Sequence, residues 1–351
     1  MTLANNRLRE LDFLRGIAIL LVFFRHKYLI SYLAKMGWIG VDLFFVLSGF
    51  LVSNLLFKEY IKFGNIKPSL FLIRRGFKIY PIYYISYLIY LYYKLPLEKG
   101  QLKLVLADLI FLQNYIVGFG FAYVSSWSLA IEEHFYLLLV FILYFIYNRN
   151  VKIGLSKIIY VILISTLILR IFTNYSVDND VFKYTMTHLR IDSLFAGVLI
   201  AYWCNFKFSA LQKFYDTHRL KLYVIAFLVL LVTPFYDFSD SYWVRTFGFS
   251  FLYIAFGIIL VSFLLSKNIN KLLNTFFSAP LVDLISKIGY CSYSIYIIHI
   301  LVLKTVIFDI NYYLLLFLQL AITILIGFFM TYYIEKYFLQ LRDKYYPKRS
   351  F

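Results

Sequence analysis

Apolar residues run along this chain in blocks of about twenty, broken by short charged segments, without the alternation of strands or the half-polar stripe of soluble helices. Stretches near bilayer-spanning length fall at about 14–32, 38–57, 77–93, 126–147, 157–174, 188–205, 221–236, 244–266, 284–304 and 312–338. They predict an all-α, polytopic bundle of ten transmembrane helices. One further apolar run, 104–117 ("LVLADLIFLQNYIV"), is shorter and contains Asp108, so length alone leaves its status open.

Charge decides that case. If 104–117 does not cross, one set of loops carries 22 Lys and Arg, from Arg7 and Arg9 to Lys348 and Arg349, and the other carries 5: Lys35, Lys94, Lys99, Lys103 and Lys183. A crossing there would flip everything downstream and erase the asymmetry, so both termini are expected in the cytoplasm. The formal net charge of +17 would suit nucleic acid if gathered in one patch, but it is divided among these loops. Composition agrees with a membrane class: 62% hydrophobic and 15% charged residues exceed what a soluble domain of 351 residues buries.

The start, "MTLANNRLRELDF", has no small-residue cleavage site, so the first span is expected to be retained in a bacterial inner membrane. No repeat of 20 to 50 residues occurs. Only 13 residues follow the last span, so a single membrane domain over 1–351 is expected, with no appended soluble domain. Cys204 and Cys291 lack metal-ligand spacing and are read as packing residues, with acyl carriage as the alternative.

The first span, "LDFLRGIAILLVFFRHKY", carries the candidate chemistry. Arg15 and His26 are eleven residues apart, almost three helical turns, so they share one face about 16 Å apart along the axis. An intramembrane charge costs roughly 2.5–3.5 kcal/mol on insertion scales and usually lines an interior, so this face should turn into the bundle. Near the inner edge, "FLIRRGFKIYP" adds Arg74, Arg75 and Lys78 to Arg15, with Pro81 ending or kinking the first turn of the third span. In the outer half lie Asp42, Glu132, Glu133, Arg190, Asp192 and His299, each within about 9 Å of its span's outer end.

A two-sided site follows. The basic cluster would hold an anionic ligand, and His26, oriented by a carboxylate, would take a proton from an alcohol as general base. The Arg15 to His26 spacing is of the order of an extended pantetheine arm, so a nucleotide bound at the inner side could present a thioester to His26. The sequence has no Walker phosphate loop, Rossmann glycine fingerprint, G-x-S-x-G elbow or H-E-x-x-H zinc motif. This excludes ATP-driven transport by this chain and gives no reason to invoke a metal.

These segments resemble the membrane acyltransferase-3 family, which O-acylates sugars and other surface molecules. "LDFLRGIAILLVFFRH" is similar to its first-helix Arg, ten residues, His pattern, and "GVDLFFVLSGFLV" to its second helix. "FLIRRGFKIYPIYY", "WSLAIEEHFYL", "LRIDSLFAGVLIAY" and "YIEKYF" continue the likeness in order. The resemblance implies ten helices and transfer of an acetyl group, less often another acyl group, from cytoplasmic acetyl-CoA to a hydroxyl at the outer face. It implies His26 as the catalytic residue, Arg15 as its partner, and Arg75 with Lys78 in place of the family's paired arginines. Lys78 keeps the charge of the second arginine without its bidentate fork. His134 stands where many relatives have glutamine.

The expected function is therefore O-acetylation of a surface glycan, such as an O-antigen or exopolysaccharide unit on its lipid carrier. His26 with Asp42 or Glu132 is expected to catalyse, Arg15, Arg74, Arg75 and Lys78 to hold the CoA phosphates, and Arg190, Asp192 and His299 to contact the acceptor. The alternative is a transporter or flippase of a lipid-linked glycan, which also wants buried charges but usually shows internal repeats. A glycan polymerase would be expected to carry its key residues on long external loops, which are short here.

Overall fold

The computed structural model describes residues 9–149, 154–237, 241–266 and 268–349, and all regular elements among them are helical. Arg7, Lys152 and Lys267, which enter the loop charge balance, lie outside these residues. In order the helices are α1 (Arg9–His26), α2 (Ser31–Met36), α3 (Ile39–Phe63), α4 (Pro68–Tyr92), α5 (Leu102–Leu109), α6 (Gln113–Ile116), α7 (Trp127–Leu143), α8 (Leu155–Ser176) and α9 (Asp180–Thr185). They continue as α10 (Ile191–Phe206), α11 (Phe208–Val232), α12 (Phe249–Leu265), α13 (Ile269–Phe277), α14 (Ala279–Tyr290), α15 (Ser292–Thr305), α16 (Tyr312–Phe329) and α17 (Lys336–Tyr345).

Every predicted span coincides with a helix or helix pair, yet among the described residues five helices are long and apolar enough to cross a membrane by themselves. Two bent pairs, α10 with α11 at 111° and α14 with α15 at 81°, raise the number to seven. Wide π turns extend α7 through Asn148, start α12 at Val244, and join α16 to α17 as one helix from Tyr312 to Tyr345. The run 104–117 is split between α5 and α6, of eight and four residues, around Phe111 at φ 60°. At 1.5 Å per residue neither is long enough to span. Asp108, the residue that marked this run, is fully buried and accepts the backbone N–H groups of Phe121 and Ala122 at 3.0 Å each.

Three boundaries differ from the hydropathy pattern, each for a local reason. α4 begins at Pro68, nine residues before the predicted span, because proline's fixed φ suits a first helical turn and its missing N–H costs nothing there. Pro81 therefore lies in the helix interior and ends nothing. α11 begins at Phe208 inside the segment predicted as a charged loop, since Lys213, Arg219 and Lys221 are good helix formers that a hydropathy window reads only as polar. α1 stops at His26 where a span to residue 32 was predicted; its last turn carries Arg25 and His26, and the chain breaks before α2.

Small residues set the tightest helix crossings, as in other membrane bundles. A Cβ on Gly49 of α3 would lie 1.9 Å from the Leu194 carbonyl oxygen, and one on Gly197 of α10 would lie 2.2 Å from that of Val46. Gly16 of α1 and Gly289 of α14 make the same kind of contact, 2.1 Å from the Ile285 and 1.8 Å from the Asp12 carbonyl oxygens. These crossings fix α1 and α3 in the bundle and so fix the faces that carry Arg15, His26 and Asp42.

Candidate active site

A cavity of about 140 Å³ lies between α1, α3, α4, α7 and the first turn of α15. Arg15, Arg75 and Lys78 line it together with Glu132, Ser48, Ser128, Ser292, Tyr293 and Tyr296. Three of the four predicted phosphate-holding cations are thus gathered on one wall. Arg74 is not: it turns to α17, ion-pairing with Asp343 at 2.8 Å and donating to the Tyr346 carbonyl. Adjacent helical residues point about 100° apart, and with Arg75 turned to the cavity, Arg74 is turned toward α17.

The cations are held by partners that bury with them. Lys78 pairs with Glu335 at 2.7 Å, a carboxylate brought in by the π turn between α16 and α17. Arg75 donates to the Tyr136 hydroxyl at 2.7 Å, and that hydroxyl donates to Glu132 at 2.5 Å. Arg15 lies 3.7 Å from Asp12, one turn back on α1. Each of the three cations is thus balanced by a carboxylate, Lys78 and Arg15 directly and Arg75 through Tyr136, so an anion entering the cavity exchanges for part of this pairing. The N-terminal turn of α15 also meets the cavity at Ser292, whose buried hydroxyl has no partner among the described residues. Helix N-termini favour anions.

His26 lies elsewhere on the same face of α1. It is the last residue of that helix and is exposed, and its ring centroid is 5.4 Å from that of His299, which is fully buried. His299 in turn is 5.4 Å from the ring of Tyr296, three residues earlier on α15. Tyr296 lines the cavity, donates to the Ser125 carbonyl at 3.0 Å and shares a 2.7 Å hydrogen bond with Ser128. One face of α15 therefore runs from the cation-lined cavity to His26.

The carboxylates expected beside His26 are engaged elsewhere, and this corrects the sequence reading. Both oxygens of Asp42 accept from Arg190, at 2.8 and 2.9 Å, and Oδ1 also accepts from Ser193 at 3.1 Å. Asp192 pairs with Arg170 at 2.6 Å, and Arg170 donates to Ser250 at 2.7 Å. All four charged side chains are essentially sealed from solvent, and the Arg190 guanidinium stacks over the Phe249 ring at 3.7 Å. Charges at membrane depth persist when paired in this way, so this cluster ties α3, α8, α10 and α12 together. Among the described residues, neither Asp42 nor Glu132 hydrogen-bonds or ion-pairs with His26.

Glu132 meets the cations because α4 starts early. Arg75 and Lys78 are seven and ten residues into that helix, about 10 and 15 Å along it. They rise to the depth of Glu132, and Glu133 accepts from Tyr80 at 3.0 Å nearby. The sequence reading had put these carboxylates with His26 and the cations at the edge. It also passed over Arg170, Tyr136 and Tyr296. An arginine inside "LILRIF" was a legible signal; two tyrosines among 34 were not. Cys204 and Cys291 are buried, and neither forms a disulfide among the described residues.

A family profile described as an acyltransferase domain matches residues 8–335. The chain belongs to this acyltransferase family. It is 32% identical over 322 residues to a Staphylococcus aureus (strain COL) protein with an inferred O-acetyltransferase name, covering 84% of this chain and 50% of that one. It is 31% identical over 210 residues to the peptidoglycan O-acetyltransferase OatA of Listeria monocytogenes, covering 55% of this chain and 33% of that one. It is 27% identical over 313 residues to the O-acetyltransferase OatA of Staphylococcus aureus (strain NCTC 8325 / PS 47), covering 82% and 49%. The chain thus spans about half the length of the first of these relatives. No solved structure matches it significantly.

Proposed function

We propose that the protein is an integral-membrane O-acyltransferase that moves an acetyl group from cytoplasmic acetyl-CoA to a hydroxyl of a cell-surface glycan at the outer face of the membrane. One observation carries the reading: the wall that begins at Arg15, Arg75 and Lys78 continues through Tyr296 to the His299 and His26 rings. The cations receive phosphates of CoA, exchanging part of their pairing with Glu132 and Glu335 for it. The thioester lies along the Tyr296 face toward His26. There His26 removes the acceptor hydroxyl proton as its oxygen attacks the thioester carbonyl; the C–S bond breaks, and the departing thiolate takes the proton back from the imidazolium.

The membrane arrangement proposed with it has ten spans and both termini in the cytoplasm. α1 and α4 cross in spite of their charges, because Arg15, Arg75 and Lys78 face the bundle, and α10 and α11 cross separately on either side of their sharp bend. The membrane is then the bacterial inner membrane. The acceptor is a glycan or lipid-linked glycan, and the name of the Listeria relative adds peptidoglycan to O-antigen and exopolysaccharide. Transport of such a glycan, the rival reading, gives no role to a cation-lined cavity that leads to a histidine pair.

Purified protein in detergent tests the donor half of this proposal. Calorimetric titration with acetyl-CoA should give saturable binding that free acetate does not compete. A protein that ignores acetyl-CoA and retains a glycan lipid would be a transporter.

A further inference from the structure

His299 has a more specific arrangement than a substrate contact requires. Its Nδ1 lies 2.5 Å from the Tyr296 carbonyl oxygen, which can only accept, so Nδ1 carries the proton. The neutral ring then has its lone pair on Nε2, which is buried and has no partner among the described residues. The carbonyl is presented by a locally rearranged helix. The Tyr90 hydroxyl is inserted in the backbone ladder, accepting from the Leu301 N–H at 3.0 Å and donating to the Ile297 carbonyl at 2.8 Å. Tyr123, stacked on Tyr90, donates to the same Tyr296 carbonyl at 2.6 Å.

The imidazole beside the His299 ring is that of His26. Two imidazoles joined by an N–H···N hydrogen bond of about 3 Å have centroids roughly 5 Å apart, so the observed 5.4 Å is a few tenths of an ångström from contact. His26 is exposed and His299 fully buried, so an acceptor hydroxyl meets His26 first. Resting on the acyl-transfer reading above, we infer that His299 is the positioning residue of His26: its Nε2 accepts the His26 ring N–H and leaves the other His26 nitrogen as the base. The chain Tyr296 carbonyl, His299, His26, acceptor hydroxyl then does with a backbone carbonyl and a second imidazole what a carboxylate does in a Ser-His-Asp triad. It also explains how His26 can be oriented while Asp42 and Glu132 are occupied elsewhere.

Two near-isosteric substitutions separate this role from a structural one. His299→Gln keeps an acceptor where Nε2 stands, and His299→Asn keeps a donor to the Tyr296 carbonyl but has nothing at Nε2. The readout is the rate at which diethyl pyrocarbonate ethoxycarbonylates His26, followed by mass spectrometry on the folded, monodisperse fraction of each detergent-extracted variant. Groups that orient a metal-ligating histidine through its other ring nitrogen are worth about 10–100-fold, and an effect of the same order is expected for His26. His26 of His299→Asn should therefore react at least tenfold more slowly than in wild type, with His299→Gln close to wild type; acetyl transfer, where an acceptor is in hand, should lose kcat in the same order at unchanged KM. The reverse order, Asn close to wild type and Gln slow, would make His299 a structural support of the Tyr296 carbonyl and overturn the inference, as would equal rates in all three proteins. If the labelling order holds in a protein that transfers no acetyl group, the histidine pairing stands and the enzymatic reading fails.

Discussion

Arg74 and Arg75 adjoin in sequence and part in space. Arg75 faces the cavity, bonded to Tyr136, and Arg74 faces α17, bonded to Asp343. The proposed site therefore distinguishes two residues that the sequence treated alike. Hydrogen bonds to charged groups contribute about 1.5–3 kcal/mol, and each 1.4 kcal/mol is about tenfold in affinity. Arg75→Gln should weaken acetyl-CoA binding about 10- to 100-fold, whereas Arg74→Ala should leave it within about twofold, both read by calorimetry. Equal losses in the two variants would place the phosphates outside the cavity. At this scale the sequence was most informative where a residue type is rare in lipid. Arg15, His26, Arg75, Lys78 and His299 stand out in apolar blocks; the three cations line the cavity, and the two histidine rings lie together beyond Tyr296. Partners made by abundant residue types, such as Tyr136 and Tyr296, become visible only once helices are packed.

At the scale of elements, spacing along one helix was legible, and the facing and relative height of different helices were not. The spacing of Arg15 and His26 gave their shared face correctly, because one helix fixes it. Asp42, Glu132 and His26 come from three helices, and similar depth did not make them neighbours. Rotation of α3 is set by the Gly49 and Gly197 crossing with α10, which turns Asp42 to Arg190. The predicted consequence is structural. Asp42→Leu leaves Arg190 buried without its counter-ion and should cost about 3–5 kcal/mol of stability, seen as a lower denaturation temperature in detergent. The double variant Asp42→Leu with Arg190→Leu should recover most of that loss, since an apolar pair of similar volume replaces a buried ion pair. If Asp42→Leu instead abolishes turnover at unchanged stability, Asp42 orients the base and the ion-pair account is wrong. Helix starts were the other illegible feature. Hydropathy cannot see the Pro68 start of α4 or the charged first half of α11, although helix propensity and proline placement account for both.

At the scale of the whole molecule, the all-helical class and the positions of the apolar blocks were readable because the bilayer imposes one length on every crossing element. Bends were not, since the 81° break at Cys291 between α14 and α15 sits inside a continuous apolar stretch. That break matters for function: it brings the first turn of α15 to the cation-lined cavity and carries Tyr296 and His299 from there to His26. The account therefore makes one residue answer for the reaction. The most direct measurement is the base-labile O-acetyl content of the host's surface glycan in a deletion strain complemented with wild type or His26→Ala at matched membrane levels. The account predicts that acetyl is lost on deletion, restored by wild type, and at least about 100-fold lower with His26→Ala, the lower bound for losing a general base. Acetylation restored equally by His26→Ala, or a deletion that changes glycan amount or length and leaves acetylation intact, would contradict it.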